Sequence, residues 1–366
     1  MIDKQCLTDN KSCLKENYNS FDLAKFICSI LVVMIHVQPF GTHEKSCIFS
    51  YLNFGLQQGF CRIVVPLFFM FSGFFLYRKT PIDRFSLEPT KRYLFNIFRI
   101  YLIWSLIYLP LSLKLLMKTN TNFFKIAINY LRDFLLTGSY TQLWYLNGLM
   151  VAVGIISYLL YKKWKPEKIL CTSLVFYIFG MLGNAYFGVI RPLLEVPFVG
   201  RLIRIYFRIF VTTRNGLFFA FFFVSLGMIL SNREISIGRG KSLVLFVLSA
   251  IMLCAEAFAV EAYGLARGYG LYVFAIPSAI FCFLFLKSLK LNDREIYKKL
   301  RSVSALIYYG HLWIGFVVGV FLSVCALDIK NTPIQFVITL FLTVLVSMTV
   351  MKLSEKKWIQ WLKKMY

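Results

Sequence analysis

Apolar runs of about twenty residues recur along the chain, parted by short polar segments rich in Lys and Arg. They fall at roughly 21–39, 58–77, 94–116, 142–161, 169–189, 214–231, 241–261, 269–287, 302–324 and 332–352. A helix rises about 1.5 Å per residue, so each run is long enough to cross about 30 Å of hydrocarbon. The runs do not alternate with period two, which excludes the short strands of a membrane barrel. The pattern predicts an all-α, polytopic integral membrane protein with about 10 transmembrane helices.

The polar segments set the orientation. If the N-terminus faces the cytoplasm, the inner segments hold more than twice as many Lys and Arg as the outer loops. Cytoplasmic loops carry this excess, so both termini are expected in the cytoplasm and the chain in the plasma membrane. Residues 190–214 depart from the rule, with Arg191, Arg201, Arg204, Arg208 and Arg214 in an outer segment. Arg201, Arg204 and Arg208 are spaced for one helical face. They suit an interfacial helix reaching anionic headgroups, or a clamp for an anionic acceptor. The tail "KLSEKKWIQWLKKMY" alternates Trp and Lys faces, and predicts an amphipathic helix on the cytoplasmic leaflet. The organisation is a tail over 1–20, one membrane domain over 21–352 and an amphipathic tail over 353–366.

Composition agrees. Of 366 residues, 58% are hydrophobic, against about 45–50% in soluble domains. The net charge of +24 would suggest nucleic acid in a soluble chain. Here it lies between spans, so it marks topology, and no nucleic-acid partner is expected. The first twenty residues are polar and no cleavage pattern follows the first apolar run, so that run reads as a retained helix. Nine Cys show no CxxC or ligand spacing, so no disulfide or metal is assigned.

Chemistry concentrates in the first run, "FDLAKFICSILVVMIHVQPF" (21–40). Lys25 and His36 are eleven residues apart, which is three helical turns plus about 20°, so they share a face about 16 Å apart along the axis. Ionisable groups in a span face the protein interior or a water-filled cavity. A cation at the inner mouth and an imidazole further up suit a long ligand with a charged head and a reactive end. The blander alternative pairs Lys25 with Asp22 and buries His36 as an ordinary hydrogen-bonded histidine. Glu256 and Glu261, in "CAEAFAVEAYG", are about 140° apart on a helix and cannot share one interior side. Glu256 is the deeper of the two. It is expected to pair with an interior Arg, or to orient His36 or bind the acceptor. His311 is expected to be structural, and His43, beside Glu44, to be a solvated loop residue.

These segments resemble the membrane acyltransferase-3 family. Lys25 and His36 match its basic residue, ten-residue gap and histidine, and Asp22 its preceding aspartate. "CRIVVPLFFMFSGFFLY" (61–77), "KRYLFNIFRIYLIW" (91–104), "LWYLNGLM" (143–150), "RNGLFFAFFFVSLGMIL" (214–230) and "SALIYYGHLWIG" (304–315) are similar to later family segments in the family's order. Lys25 stands where many members carry Arg, and acts as a point charge rather than a bidentate fork.

The resemblance implies transfer of an acyl group, usually acetyl, from cytoplasmic acyl-CoA to a hydroxyl of a cell-surface carbohydrate, lipid or cell-wall acceptor. His36 would serve as base or acyl carrier. Lys25, Arg62, Lys91, Arg92 and Arg99 are candidates for the coenzyme's phosphates. Arg62 and Arg214 are candidates for the oxyanion, and Arg214, Arg201 and Arg204 for the acceptor. Membrane lipid and a separate extracellular protein are further expected partners. "TTRNGLFF" (212–219), "YLIWSLIYLPL" (101–111) and "AEAFAVEAYGL" (255–265) also resemble the membrane half of membrane-bound serine racemases of vancomycin resistance. That resemblance implies a competing role, passage of a small polar molecule such as serine.

Overall fold

The computed structural model describes residues 18–41, 48–80, 82, 85–119, 122–327 and 332–366. Most of the predicted 1–20 tail and the pair His43 and Glu44 lie outside these residues. Helix α1 is Asn19–Val37. Helix α2, Ile48–Phe54, continues through a π turn at Gly55–Gly59 and a 3₁₀ turn at Phe60–Ile63 into α3, Val64–Arg78. Next come α4 (Leu87–Thr119), α5 (Phe123–Arg132), α6 (Trp144–Tyr161), α7 (Pro166–Leu182) and α8 (Phe187–Ile190). They are followed by α9 (Pro197–Phe210), α10 (Phe221–Asn232) and α11 (Arg239–Ala262). The chain ends with α12 (Ala275–Ser288), α13 (Glu295–Val324), α14 (Pro333–Leu353) and a 3₁₀ segment, Lys357–Met365. No strand occurs among the described residues.

Every predicted span contains a helix, but the helices are not equivalent. Among the described residues, seven are long and apolar enough to cross a membrane, counting α2–α3 as one. In the fifth predicted span the chain bends by 78° between Pro166–Leu182 and Phe187–Leu194. The sixth and eighth are shorter apolar helices, Gly216–Asn232 and Ala275–Ser288. The eighth starts late because residues 269–274 form a loop tied to α11, as described below. Rows of exposed apolar side chains mark the outer surface: Leu102 and Leu106 on α4, Val244, Leu248 and Ile251 on α11, and Val337, Phe341 and Leu345 on α14. Such rows are tolerable only against lipid. The protein is a multi-pass membrane protein.

Two features place the site. First, α3 and α10 touch backbone to backbone. A Cβ on Gly73 would lie 2.3 Å from the Val224 carbonyl oxygen, and one on Gly227 would lie 2.2 Å from that of Met70. Only glycine permits this approach, as at other small-residue crossings in membranes. Second, α1 is interior: Val33, Val37, Val303 and Ile307 form an apolar seam between it and α13, with Phe336 and Leu340 of α14 packed on it. α9 carries Arg201, Arg204 and Arg208 on one face, while Phe198, Leu202 and Ile205 remain uncovered by protein. The C-terminal tail is not the expected α-helix. Its 3₁₀ segment breaks at Ile359, and its end folds inward, where the Met365 carbonyl accepts from Trp104 Nε1 at 2.9 Å.

Candidate functional site

Each end of α1 borders a cavity. At the N-terminal end, a space of about 500 Å³ is lined by Lys25, Lys79, Arg92 and Arg301, with Phe68, Phe71 and Phe75 as apolar wall. Asp22 is buried below them and held in a fork by Arg301, with Nε to Oδ1 at 3.0 Å and Nη2 to Oδ2 at 2.7 Å. Lys25 makes one longer contact to the same carboxylate, 3.3 Å, and lies over the Phe75 ring at 4.6 Å. Asp22 and Lys25 do pair, as the blander alternative had it, but Arg301 is the carboxylate's main partner. Lys25 thus keeps donor capacity facing the cavity. A bidentate guanidinium–carboxylate pair is the stronger geometry, so Asp22 also fastens α1 to α13.

At the other end, His36 lies in the last turn of α1, before a left-handed cap at Gln38 (φ 55°). It borders a cavity of about 70 Å³ with Arg62, Gln142, Trp144, Arg214 and Tyr308. The ring of His311 lies 5.2 Å from that of His36, centroid to centroid. His311 is buried, and its Nδ1 approaches the carbonyls of Ile307 (3.1 Å) and Tyr308 (2.8 Å). Carbonyl oxygens only accept, so Nδ1 carries the proton and Nε2 keeps its lone pair. That Nε2 is buried with no hydrogen-bond partner. The two imidazoles therefore form a pair in which one ring is fixed and holds a spare acceptor.

Irregular backbone aims both arginines. Arg62 lies in the 3₁₀ turn that follows the π turn Gly55–Gly59. Arg214 precedes another π turn, Gly216–Ala220, which Asn215 caps through the amides of Leu217 and Phe218, both 3.1 Å. π turns inside helices are frequent at functional sites. The Arg214 amide donates to Thr212 Oγ1 at 3.0 Å, and its guanidinium lies 5.0 Å from the Trp144 ring centre.

Tyr308 borders both cavities and stands between them, its hydroxyl donating to the Gln142 carbonyl at 2.9 Å. Arg214 lines two further cavities. One of about 320 Å³ includes Ser112, Arg132, Asp133, Thr137, Ser139 and Thr141; the other, about 310 Å³, includes Asn184, Arg267 and Tyr269. The four spaces form a series: the basic cavity, Tyr308, the histidine cavity, then Arg214 and the two polar cavities.

The expected residues divide accordingly. Lys25 and Arg92 line the basic cavity. Lys91 does not; it is exposed and pairs with Glu88 at 3.2 Å. Arg99 is also absent from that wall, and its Nε is buried without a partner. Arg62, a candidate for either the coenzyme phosphates or the oxyanion, lines the cavity of His36 and not the basic one. The second span runs opposite to the first, so its start meets the end of α1. Among the described residues, Glu256 neither touches His36 nor pairs with an Arg. It accepts from the Tyr186 hydroxyl and from the amides of Val273 (2.7 Å) and Phe274 (2.8 Å), pinning the loop before α12. Arg201 and Arg204 stay on the exposed face of α9, away from the histidine cavity.

Residues the sequence reading missed are Arg301, Tyr308, Gln142 and Trp144, together with the proximity of His311. One signal was available: a buried Asp22 needs a strong cationic partner, and Arg301 opens the segment that carries His311.

Comparison with known proteins adds the family. The profile described as an acyltransferase domain matches residues 18–352. Curated relatives include an amino-acid racemase of Enterococcus faecalis, 26% identical over 268 residues, covering 72% of this chain and 35% of that protein. A serine/alanine racemase of Enterococcus gallinarum is 26% identical over 332 residues, covering 88% of this chain and 44% of its own. A second Enterococcus faecalis amino-acid racemase is 24% identical over 350 residues, covering 94% and 47%. The chain thus spans less than half the length of these relatives. No solved structure matches.

Proposed function

The chain belongs to the membrane acyltransferase-3 family, and from that premise we propose that it transfers an acyl group, acetyl by family habit, from cytoplasmic acyl-CoA to a hydroxyl presented on the far side of the plasma membrane. The observation that carries this reading is the pair of cavities at the two ends of α1, one basic and one holding His36, with Tyr308 common to both walls.

In this scheme Lys25, Lys79, Arg92 and Arg301 hold the phosphates of the coenzyme at the cytoplasmic mouth, and the apolar wall takes the pantetheine arm. The thioester carbonyl reaches the histidine cavity once Tyr308 yields. The acceptor hydroxyl attacks the carbonyl carbon while His36 takes its proton. The thioester C–S bond then breaks, and the thiolate leaves with the proton returned by the imidazolium, giving an ester and free coenzyme A. The guanidinium of Arg62 or of Arg214 can stabilise the tetrahedral oxyanion. His311 Nε2, lacking a partner, is placed to accept from the His36 ring and fix its tautomer. The acceptor belongs to a cell-surface glycan, lipid or cell-wall unit, and both termini face the cytoplasm.

The purified protein in detergent, given radiolabelled acetyl-CoA, should release coenzyme A in a His36-dependent way. Equal release from wild type and His36→Ala would defeat the proposal. The names of the relatives favour one second reading, passage of an amino acid such as serine through the same interior charges. Uptake of serine into vesicles that contain no acyl donor would decide for it.

A further inference from the structure

Arg62 and Arg214 share the wall of the histidine cavity, yet neither has a carboxylate within ion-pair distance among the described residues. Arg62 contacts Gln58, and its Nε is buried without a partner. Among the described residues, the Arg214 guanidinium has the face of Trp144 and no hydrogen-bond partner. The nearby acids are engaged elsewhere. Glu256 is held by Tyr186 and two amides, Glu261 by Tyr269, and Asp133 by Arg132 at 2.8 Å and Thr137 at 3.2 Å. Two half-buried cations on one cavity wall without a counterion are unfavourable, because each has lost part of its water and each repels the other. One transient oxyanion calls for one donor set, not two full charges.

The space around them narrows the choice of anion. A cavity of about 70 Å³ has room for a group the size of a carboxylate or phosphate, not a sugar ring. Beyond Arg214, the 320 Å³ cavity offers Ser112, Thr137, Ser139, Thr141 and Thr212, a hydroxyl-lined space for the polar remainder of the unit that carries the anion.

We propose that Arg62 and Arg214 form an anion seat beside His36, so that the acylated unit of the cell-surface acceptor carries a carboxylate or phosphate close to the hydroxyl that is acylated. The seat rests on the geometry alone; the role of its occupant as acyl acceptor rests on the acyl-transfer proposal above.

The test uses the full chain in detergent at low chloride, first without acyl donor. Glycerate, glycerol 3-phosphate, neutral glycerol and chloride are each titrated while the thermal midpoint is followed. Glycerate or glycerol 3-phosphate should raise the midpoint, and whichever is effective at lower concentration identifies carboxylate or phosphate. Arg214→Gln and Arg62→Gln should each raise the apparent Kd at least tenfold. Arg214→Lys and Arg62→Lys, which keep the charge if the Gln variants fail to fold, should recover part of it. Lys168→Gln, an exposed charge far from the cavity, should match wild type. Absence of an anion response, an equal response to glycerol or chloride, or an equal loss in Lys168→Gln would overturn the seat. Acetyl-CoA is then added. Anion binding without acyl transfer leaves the seat standing and removes the acyltransferase, whereas transfer to glycerol as fast as to glycerate does the reverse.

Discussion

His36 makes no hydrogen bond within the described protein, while His311 is locked by two carbonyls with one nitrogen to spare. A catalytic base must meet its substrate with a free lone pair, and a positioning partner must not move; in the proposed reaction the two rings would divide these roles. If His36 is the base, His36→Ala should reduce transfer by about 10²–10⁴-fold with folding intact, as judged by a monodisperse elution profile. His311→Asn can still donate to the Ile307 and Tyr308 carbonyls but loses the Nε2 lone pair. It should lower kcat while leaving KM for the donor unchanged, and it should alter the pH profile of kcat. A purely structural His311 would instead change the melting midpoint and leave that profile in place. Tyr308 makes a different prediction. Tyr308→Ala would merge the two cavities and admit water, so hydrolysis of acyl-CoA should rise relative to transfer. An unchanged ratio would remove Tyr308 as a partition.

At the scale of the elements, two contacts decide where those side chains stand. Gly227→Val would drive a side chain into the Met70 carbonyl, which a helix backbone cannot yield without separating α3 from α10. It should abolish a monodisperse protein, whereas the same change at Gly154, where a Cβ would meet nothing within 4 Å, should be tolerated. Asp22→Asn removes the carboxylate that joins Arg301 of α13 to α1. It should lower the melting midpoint more than Lys25→Ala, which should mainly raise KM for the donor.

These elements also show what the sequence could and could not disclose. Helix positions were legible because lipid requires a run of about twenty apolar residues, a constraint visible in any window. The shared interior face of Lys25 and His36 was legible because helical geometry is periodic. The meeting of Arg62 with His36 follows from the alternating direction of successive spans, which brings the start of the second to the end of the first. The 78° bend after α7, the late start of α12 and the inward fold of the tail arise from tertiary contacts instead. Glu256 capping the Val273 and Phe274 amides and Trp104 holding the Met365 carbonyl have no periodic signature. The two carbonyl contacts of His311 fit its reading as structural, but its place beside His36 was not legible, because a single histidine in an apolar helix does not announce which helix it faces.

For the whole molecule, the order of the cavities implies a direction. Four cations lie at one end of α1, and the uncompensated arginines lie beyond the other, so donor and acceptor should arrive from opposite faces. In the proposed orientation, argued from the excess of Lys and Arg in alternate loops, the Lys25 end faces the cytoplasm. Proteoliposomes reconstituted in a single orientation therefore give a sided result. Acetyl-CoA, which does not cross a bilayer, should support transfer only from the compartment facing Lys25, and the ester should appear only in the opposite one. Arg301→Glu would put a negative charge beside Asp22 in the basic cavity, and should raise KM for the donor on that side without changing the apparent affinity for the acceptor on the other. Transfer with both substrates confined to one compartment would mean that the four spaces serve a single face, and that the path past Tyr308 is not used.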